Sequence, residues 1–406
     1  MTSSKKHFEA FADHTLLKHT ILGAYLQRWA FKLLQWGGAG DTVYFVDGFA
    51  GAGCDKQGNP GSPVIACRIA QQVRSHFASK GREVRLGILA LEANPRRLEV
   101  LEDQLAPFRR TDPDVARTLR GSVSEHIEAI CDLIGGHPAL FFLDPFGLTG
   151  LDAATYPKML VGGHNEIFAL FSDIGAARLR GVVHAHSVEL ELNALSSRPS
   201  LFPDLDAAEA TELRAAADRQ RMAREPFDEV ARARITGAVG ESAWVDELRG
   251  FPPTQAREQL ILRFVRTMVA SGAKYVQVLP MRGAKGNRKY CLVHCSKALK
   301  GYTAMKEAIS ESLNKADLPT VMSARMRHDL RMPVSEVLEF IQTRFGGHTV
   351  RWAPSAGTDM TTVKRTLLEE TGVYPFQSKE IKEAITSRGW LKREKRIEVC
   401  VVPPAT

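Results

Sequence analysis

The chain has 406 residues, 44% of them hydrophobic and 25% charged, with a formal net charge of +8 and six cysteines. This length predicts two or three domains, and the composition is that of an ordinary globular protein, which excludes a low-complexity or disulfide-framed chain. The basic surplus, with a pI near 9.2, fits a polyanionic partner, although a solvated basic surface would give the same count. No run approaches the ~20 apolar residues of a bilayer span, and residues 1–14 lack the apolar core of a signal peptide. Cys54, Cys67, Cys131, Cys291, Cys295 and Cys400 show neither zinc-site nor disulfide spacing. The expectation is a cytoplasmic protein with no structural metal and no membrane partner.

Leu16–Trp36 carries Leu17, Ile21, Leu22, Tyr25, Leu26, Trp29, Leu33 and Leu34 at helical spacing, and glycines end it. Val43–Val46 is a short apolar strand running into the glycine-rich turn Asp47–Gly53. A loop from Asp55 to Pro63 and a helix over Val64–Ala78 follow. Leu86–Leu91 is a second strand, ending on Glu92 and preceding a helix at about Arg96–Leu105. Arg117–Leu119 reads as a third strand, Leu140–Leu143 as a fourth that ends on Asp144–Gly147, and Glu166–Phe171 as a fifth. Short apolar strands alternating with helices predict a parallel α/β sheet covered on both faces. Residues 176–260, rich in Ala, Arg, Glu and Leu, predict a helical insertion. Tyr275–Leu279 and Tyr290–His294 predict an edge hairpin joined by a basic loop, Pro280–Lys289. Beyond residue 316 three amphipathic helices are predicted, Pro333–Phe345, Thr361–Glu370 and Ser378–Arg388, followed by two strands around a charged turn within Trp390–Val402. That succession suggests a winged helix or, alternatively, a helical cap on the first domain. The expected domains are 1–315 and 316–406.

Three constellations carry chemistry. At the first, Asp47 closes a strand where it can meet the ammonium of an amino-acid-like cofactor, and Gly51 and Gly53 leave no side chain to block a ligand; a tight turn without a ligand has the same pattern. At the second, Glu92 ends the next strand, where a carboxylate can accept both hydroxyls of a ribose; its distance from the glycine turn is about twice the ~20 residues usual for that role. The third is Asp144–Gly147, directly after a very apolar strand. Methylating an amino group on a base needs an acceptor pair to hold the NH2 and an aromatic face to hold the ring. Asp144 and the Pro145 carbonyl can be the pair and Phe146 the face; a strand-ending turn with a core Phe is the alternative. Basic residues gather in the predicted hairpin loop (Arg282, Lys285, Arg288, Lys289) and near the C-terminus (Lys379, Lys382, Arg388, Lys392, Arg393, Lys395, Arg396), the latter interleaved with Glu380, Glu383 and Glu394. Both clusters can neutralise phosphates or simply face solvent.

The segments KHTILGAY at Lys18–Tyr25, VDGFAGAG at Val46–Gly53, Gly61–Pro63, Leu91–Glu92 and LDPFG at Leu143–Gly147 together resemble the three-Cys-motif partner proteins (TcmP), closely over about residues 7–180 and loosely beyond. The resemblance implies a Rossmann-like class I methyltransferase sheet, S-adenosyl-L-methionine (SAM) as cofactor, a C-terminal winged helix, and a radical-SAM-like partner protein containing three cysteines. By position, Asp47, Gly48, Phe49, Ala50, Gly51 and Gly53 would cradle SAM, Glu92 would hold its ribose with Ala93 also among the cofactor-binding residues, and Ser122 would lie near the adenine. Asp144, Pro145, Phe146 and Gly147 would form the acceptor site, with Asp144 also facing the cofactor. The tetrad is similar to that of tRNA guanine-N2 methyltransferases and departs from the Asp-Pro-Pro-Tyr of adenine-N6 enzymes. The expected activity is SAM-dependent methyl transfer to an exocyclic amine of a DNA or RNA base. The alternatives are a nucleic-acid-binding adaptor that works with the three-cysteine partner, and a methyltransferase for small molecules or proteins.

Overall fold

The computed structural model describes residues 13–35, 40–181, 229–315, 334–351, 385–394 and 397–403, with a few isolated positions between them. The chain divides into two compact units, residues 1–283 with 287–308, and residues 284–286 with 309–406.

The first unit is built on a seven-stranded sheet of β1 (Thr42–Asp47), β2 (Arg85–Glu92), β3 (Ala116–Arg120), β4 (Ala139–Leu143), β5 (Glu166–Phe171), β6 (Tyr275–Arg282) and β7 (Arg288–Ser296), in the order β3-β2-β1-β4-β5-β7-β6. The first five strands are parallel, and β7 runs antiparallel to both β5 and β6. β4 (ALFFL) and β5 (EIFALF) are buried along their whole length. Unbroken apolar runs of this kind are what a parallel strand covered on both faces requires. The helices are α1 (Asp13–Gln35), α2 (Ser62–Ala78), α3 (Pro95–Thr111), α4 (Val123–Ile134), α5 (Tyr156–Met159), α6 (Trp244–Glu247), α7 (Pro253–Ala270) and the first part of α8 (Leu299–Lys315), whose residues from 309 on are assigned to the second unit. The result is a mixed α/β, Rossmann-like layer. Strand order reverses between β1 and β4, so the connections leaving their carboxyl ends diverge there, the place where open α/β sheets commonly bind ligands.

The elements depart from the sequence reading in three places. Helix α3 runs six residues past its expected end at Leu105 to Thr111, through Pro107. Its last turn is tied down because Arg109 pairs with Glu102 and donates from Nε to the Ala116 carbonyl (2.9 Å). The basic loop expected over Pro280–Lys289 shrinks to a five-residue turn, because β6 continues to Arg282 and β7 starts at Arg288. Finally, α7 extends past the expected end of the insertion at residue 260. Its Leu260, Ile261, Phe264 and Met268 are buried in the sheet's core, and Phe264 stacks on Phe171 of β5. This helix therefore belongs to the layered fold. Residues 182 and 185–228 of the expected insertion lie outside the described residues.

In the second unit, α9 (Val334–Phe345) accompanies a three-stranded antiparallel sheet of β8 (Thr349–Arg351), β9 (Leu391–Glu394) and β10 (Ile397–Val401), in the order β8-β10-β9. Leu338, Ile341, Val350, Val363, Ile385, Cys400 and Val402 form its core. Most of the expected helices Thr361–Glu370 and Ser378–Arg388 lie outside the described residues, although 385–387 are helical.

Candidate functional site

Asp47, the last residue of β1, is fully buried. Its Oδ1 accepts the Phe49 N–H (3.1 Å), while Oδ2 has no hydrogen-bond partner among the described residues. Burial pushes its pKa up to about 7, with the Asp144 charge adding to the rise and Ser62, Phe49 and Lys18 opposing it. The following turn is sewn to both neighbouring strands, Gly48 N–H to the Phe142 carbonyl (2.9 Å) and Ala50 N–H to the Leu91 carbonyl (2.8 Å). The glycines differ in what they are for. A Cβ on Gly48 would collide with Val123 and Leu143, and one on Gly53 would press on Leu101 and Gln104, so these two serve packing. Gly51, at φ +63°, would place a Cβ in open space, so nothing packs against its backbone on that side. Phe49 lies against Gly150, on the segment that follows the Asp144 tetrad.

The loop after the turn closes on itself. Gly61 N–H donates to the Gly53 carbonyl (2.7 Å), and the buried Asp55 accepts from the backbone of Gln57 (3.0 Å) and Asn59 (2.7 Å) and from the Asn59 side chain (2.7 Å). At the end of β2, Glu92 is 8% exposed; its Oε1 accepts the Asn94 N–H (2.7 Å) and its Oε2 lies 4.0 Å from Arg97. Ala93 beside it is exposed. Ser122 closes a capping box with Glu125 at the start of α4, which occupies its hydroxyl with a helix end. Its neighbour Gly121 donates to the Glu92 carbonyl (3.3 Å), so Ser122 stands beside Glu92 at the carboxyl edge.

Asp144 follows β4, next to Asp47 across the strand reversal. Its Oδ2 is ion-paired with Lys18 Nζ from α1, the two side chains being 21% and 6% exposed. Pro145 is buried, Phe146 is 62% exposed and Gly147 takes a positive φ of +78°, which turns the chain so that the ring of Phe146 faces outward. His19 beside Lys18 is buried, and burial foremost lowers its pKa to about 3, leaving it neutral at physiological pH. Asp47, Asp55 and Asp144 therefore lie in the neighbourhood of the Lys18 ammonium, three carboxyl groups to one cation. The sequence reading gave Lys18 no role. Its signal was a lysine inside the apolar stripe of an amphipathic helix, between Leu17, Ile21 and Leu22.

The basic hairpin residues divide. Lys285 and Lys289 are exposed. Arg288 is instead engaged with the buried Asp173 (2.8 Å) and with Glu258 (2.7 Å), and Arg257 joins the same Asp173 at 2.7 Å. Arg288 is thereby corrected from a candidate phosphate contact to part of a buried ion network at the end of β5. Among the described residues no group of His, Cys, Asp and Glu has the arrangement of a metal site, and no helix is long and apolar enough to cross a membrane.

No family model matches the sequence, and no curated protein is significantly similar to it. Among solved structures, a chain from Staphylococcus aureus described as a "putative caffeoyl-CoA O-methyltransferase" is similar at 8% identity and a TM-score of 0.27, covering 66% of this chain and 82% of that one. A likeness that low says nothing about activity.

Proposed function

We propose that this chain is a SAM-dependent methyltransferase acting on an exocyclic amine of a nucleic-acid base. The observation that carries the reading is the pairing of Asp47 and Asp144 across the strand reversal, with one Asp47 oxygen buried and unpartnered. An orphaned carboxylate oxygen is costly unless a donor arrives to meet it, and the ammonium of SAM's amino-acid moiety is such a donor. The open space at Gly51 and the carboxylate excess around Lys18 fit a cofactor with a sulfonium and an ammonium. The mixed sheet, parallel from β1 to β5 with β7 antiparallel between β5 and β6, suits the Rossmann-like methyltransferase fold that the TcmP resemblance implies.

SAM, when bound, supplies an electrophilic methyl group. The chain's own residues would bind and orient. Asp47 holds the ammonium and Glu92 the ribose through the oxygen that Asn94 does not occupy. Asp144 and the Pro145 carbonyl accept the two N–H groups of the target amine, which directs its lone pair at the methyl group, and Phe146 covers the base. Alignment, more than acid–base chemistry, would lower the barrier, and a target in a duplex would have to be flipped out. The nucleic-acid part of the reading rests on the net charge, on the exposed lysines at the hairpin and on the second unit. A helix, a strand, a helical turn and a hairpin in the order β8-β10-β9 suit a winged helix, with Arg388 and Lys392 on its last helical turn and wing.

Calorimetric titration of the full chain with SAM tests the cofactor site. Micromolar binding that weakens by about two orders of magnitude in Asp47→Ala is expected from losing a charge-assisted contact in a buried site. Absence of binding in the native chain would instead favour the adaptor that works with a three-cysteine partner.

A further inference from the structure

We infer that Lys18 is a positioning residue of the acceptor site: it holds one oxygen of the Asp144 carboxylate as an ion pair and leaves the other to accept an N–H, so the site takes amine acceptors rather than hydroxyls. This deepens the reading of Asp144 given above and rests on it. Lys18 is 4% exposed and lies among the buried Leu17, Ile21 and Leu22 of α1. An ammonium in such surroundings is stable only when paired, and the partner the fold brings to it is Asp144, 126 residues away in the chain.

The choice of lysine matters. A guanidinium would engage both carboxylate oxygens in a fork, whereas an ammonium is a point charge that can bind one and leave the other. Here the ion pair is made to Oδ2 alone. With one oxygen held by Lys18, Asp144 presents the other as a hydrogen-bond acceptor. A hydroxyl acceptor would need a base to remove its proton before or during attack. An amine attacks through a lone pair it already has: the N–C bond forms, the C–S bond breaks with its electron pair passing to sulfur, and the methylated nitrogen then loses its proton to water.

Several charged and titratable groups lie around this pair. His19 on α1 is neutral, Asp47 ends β1, Asp55 is satisfied within its loop, and Tyr290 of β7 is a phenol that burial keeps protonated, donating to the His14 carbonyl (3.1 Å). Lys18 is thus the cation that offsets Asp144 among the described groups. Removing it leaves the Asp144 carboxylate without its ion-pair partner and free to change its orientation.

The test uses the full chain as Lys18→Met and Lys18→Arg beside the native protein. SAM affinity is read by calorimetry, and methyl transfer from tritium-labelled SAM is read into unmethylated plasmid DNA and bulk tRNA. Expected are SAM affinities within a few-fold of native in both variants, a loss of roughly 100-fold in kcat for Lys18→Met, and an acidic limb of its kcat–pH profile displaced upward by about one unit or more. Lys18→Arg should keep the limb in place and recover most of kcat. A folded Lys18→Met with native kcat and an unmoved limb would overturn the proposal. A second measurement needs no acceptor and no folded Lys18 variant. Trace acetylation of the native chain and of Asp144→Asn, read at the Lys18 peptide by mass spectrometry, should show Lys18 several-fold more reactive once its counter-charge is gone. Equal reactivity would also overturn it. Failure of SAM to bind the native chain would sink the methyltransferase reading itself, a result separate from either of these.

Discussion

Helix α1 touches two buried polar clusters, and they differ in kind. At its first turns Lys18 reaches Asp144, at the carboxyl end of the parallel strands. Seven residues further on, about 10 Å along the same face at the usual helical rise, Tyr25 reaches Glu166 at the amino end of β5. Glu166 is 4% exposed and accepts from three side chains, Tyr25, His294 (2.9 Å) and Ser296 (2.9 Å). A Cβ on Gly301 would strike it, so the backbone of α8 packs directly on this cluster. Asp47 and Asp144, by contrast, leave an orphaned oxygen, an open glycine backbone and an exposed Phe146 beside them. Burial and charge are common to both clusters. What separates a site from a structural knot is unsatisfied capacity at the end of the sheet where the connections diverge.

The comparison can be broken most decisively at Asp144. Asp144→Ala should cut methyl transfer by about three orders of magnitude, the scale of losing a preorganised contact to the reacting group, while leaving SAM affinity within a few-fold in calorimetry. A fully active variant would remove Asp144 from the acceptor site. The converse holds for Glu166→Gln: thermal melting should fall by an amount corresponding to about 3 kcal/mol, as for breaking a buried charged network, with SAM affinity unchanged. A drop in SAM affinity without loss of stability would mean that the two clusters are not functionally distinct.

Proton linkage sharpens the contrast further. With a pKa raised to about 7, Asp47 is mostly neutral below that value and cannot offer a full charge to an ammonium. SAM affinity should therefore rise as pH increases from 6 to 8, binding should release protons in that range, and affinity should fall by up to about tenfold per unit on the acid side. The sign for stability is opposite. Neutral Asp47 is the form the fold favours, so its contribution is full below the ordinary carboxylate range and is lost as pH rises through about 7 in the ligand-free protein. Flat affinity from pH 6 to 8 would remove Asp47 from the ammonium site. The smallest effect is expected in the second unit, where Arg388→Ala with Lys392→Ala should weaken binding to duplex DNA or structured RNA several-fold and lower the salt slope by about one to two. An unchanged slope would leave that unit as a cap or docking surface.

The strands carrying the proposed site were legible because each is a short apolar run closed by a charged or glycine-rich turn: Val43–Val46 before Asp47, Leu86–Leu91 before Glu92, Leu140–Leu143 before Asp144. Period and composition are local, so they survive in one dimension. Which glycine faces a ligand was not local. Gly48 and Gly53 read like Gly51 in sequence, yet Val123, Leu143, Leu101 and Gln104, brought in from other elements, make two of them packing glycines. Arg288 read as a free cation until β7 placed it on Asp173. Lys18 had no role in the sequence until the fold set it against a carboxylate 126 residues away. By itself, then, the sequence determined the alternation of strands and helices, the residues at the strand ends, and the basic balance of the chain. Only the tertiary structure decided which charges are paired and which polar atoms are left wanting a partner, because ion pairing and desolvation depend on distances across the fold that no local pattern encodes.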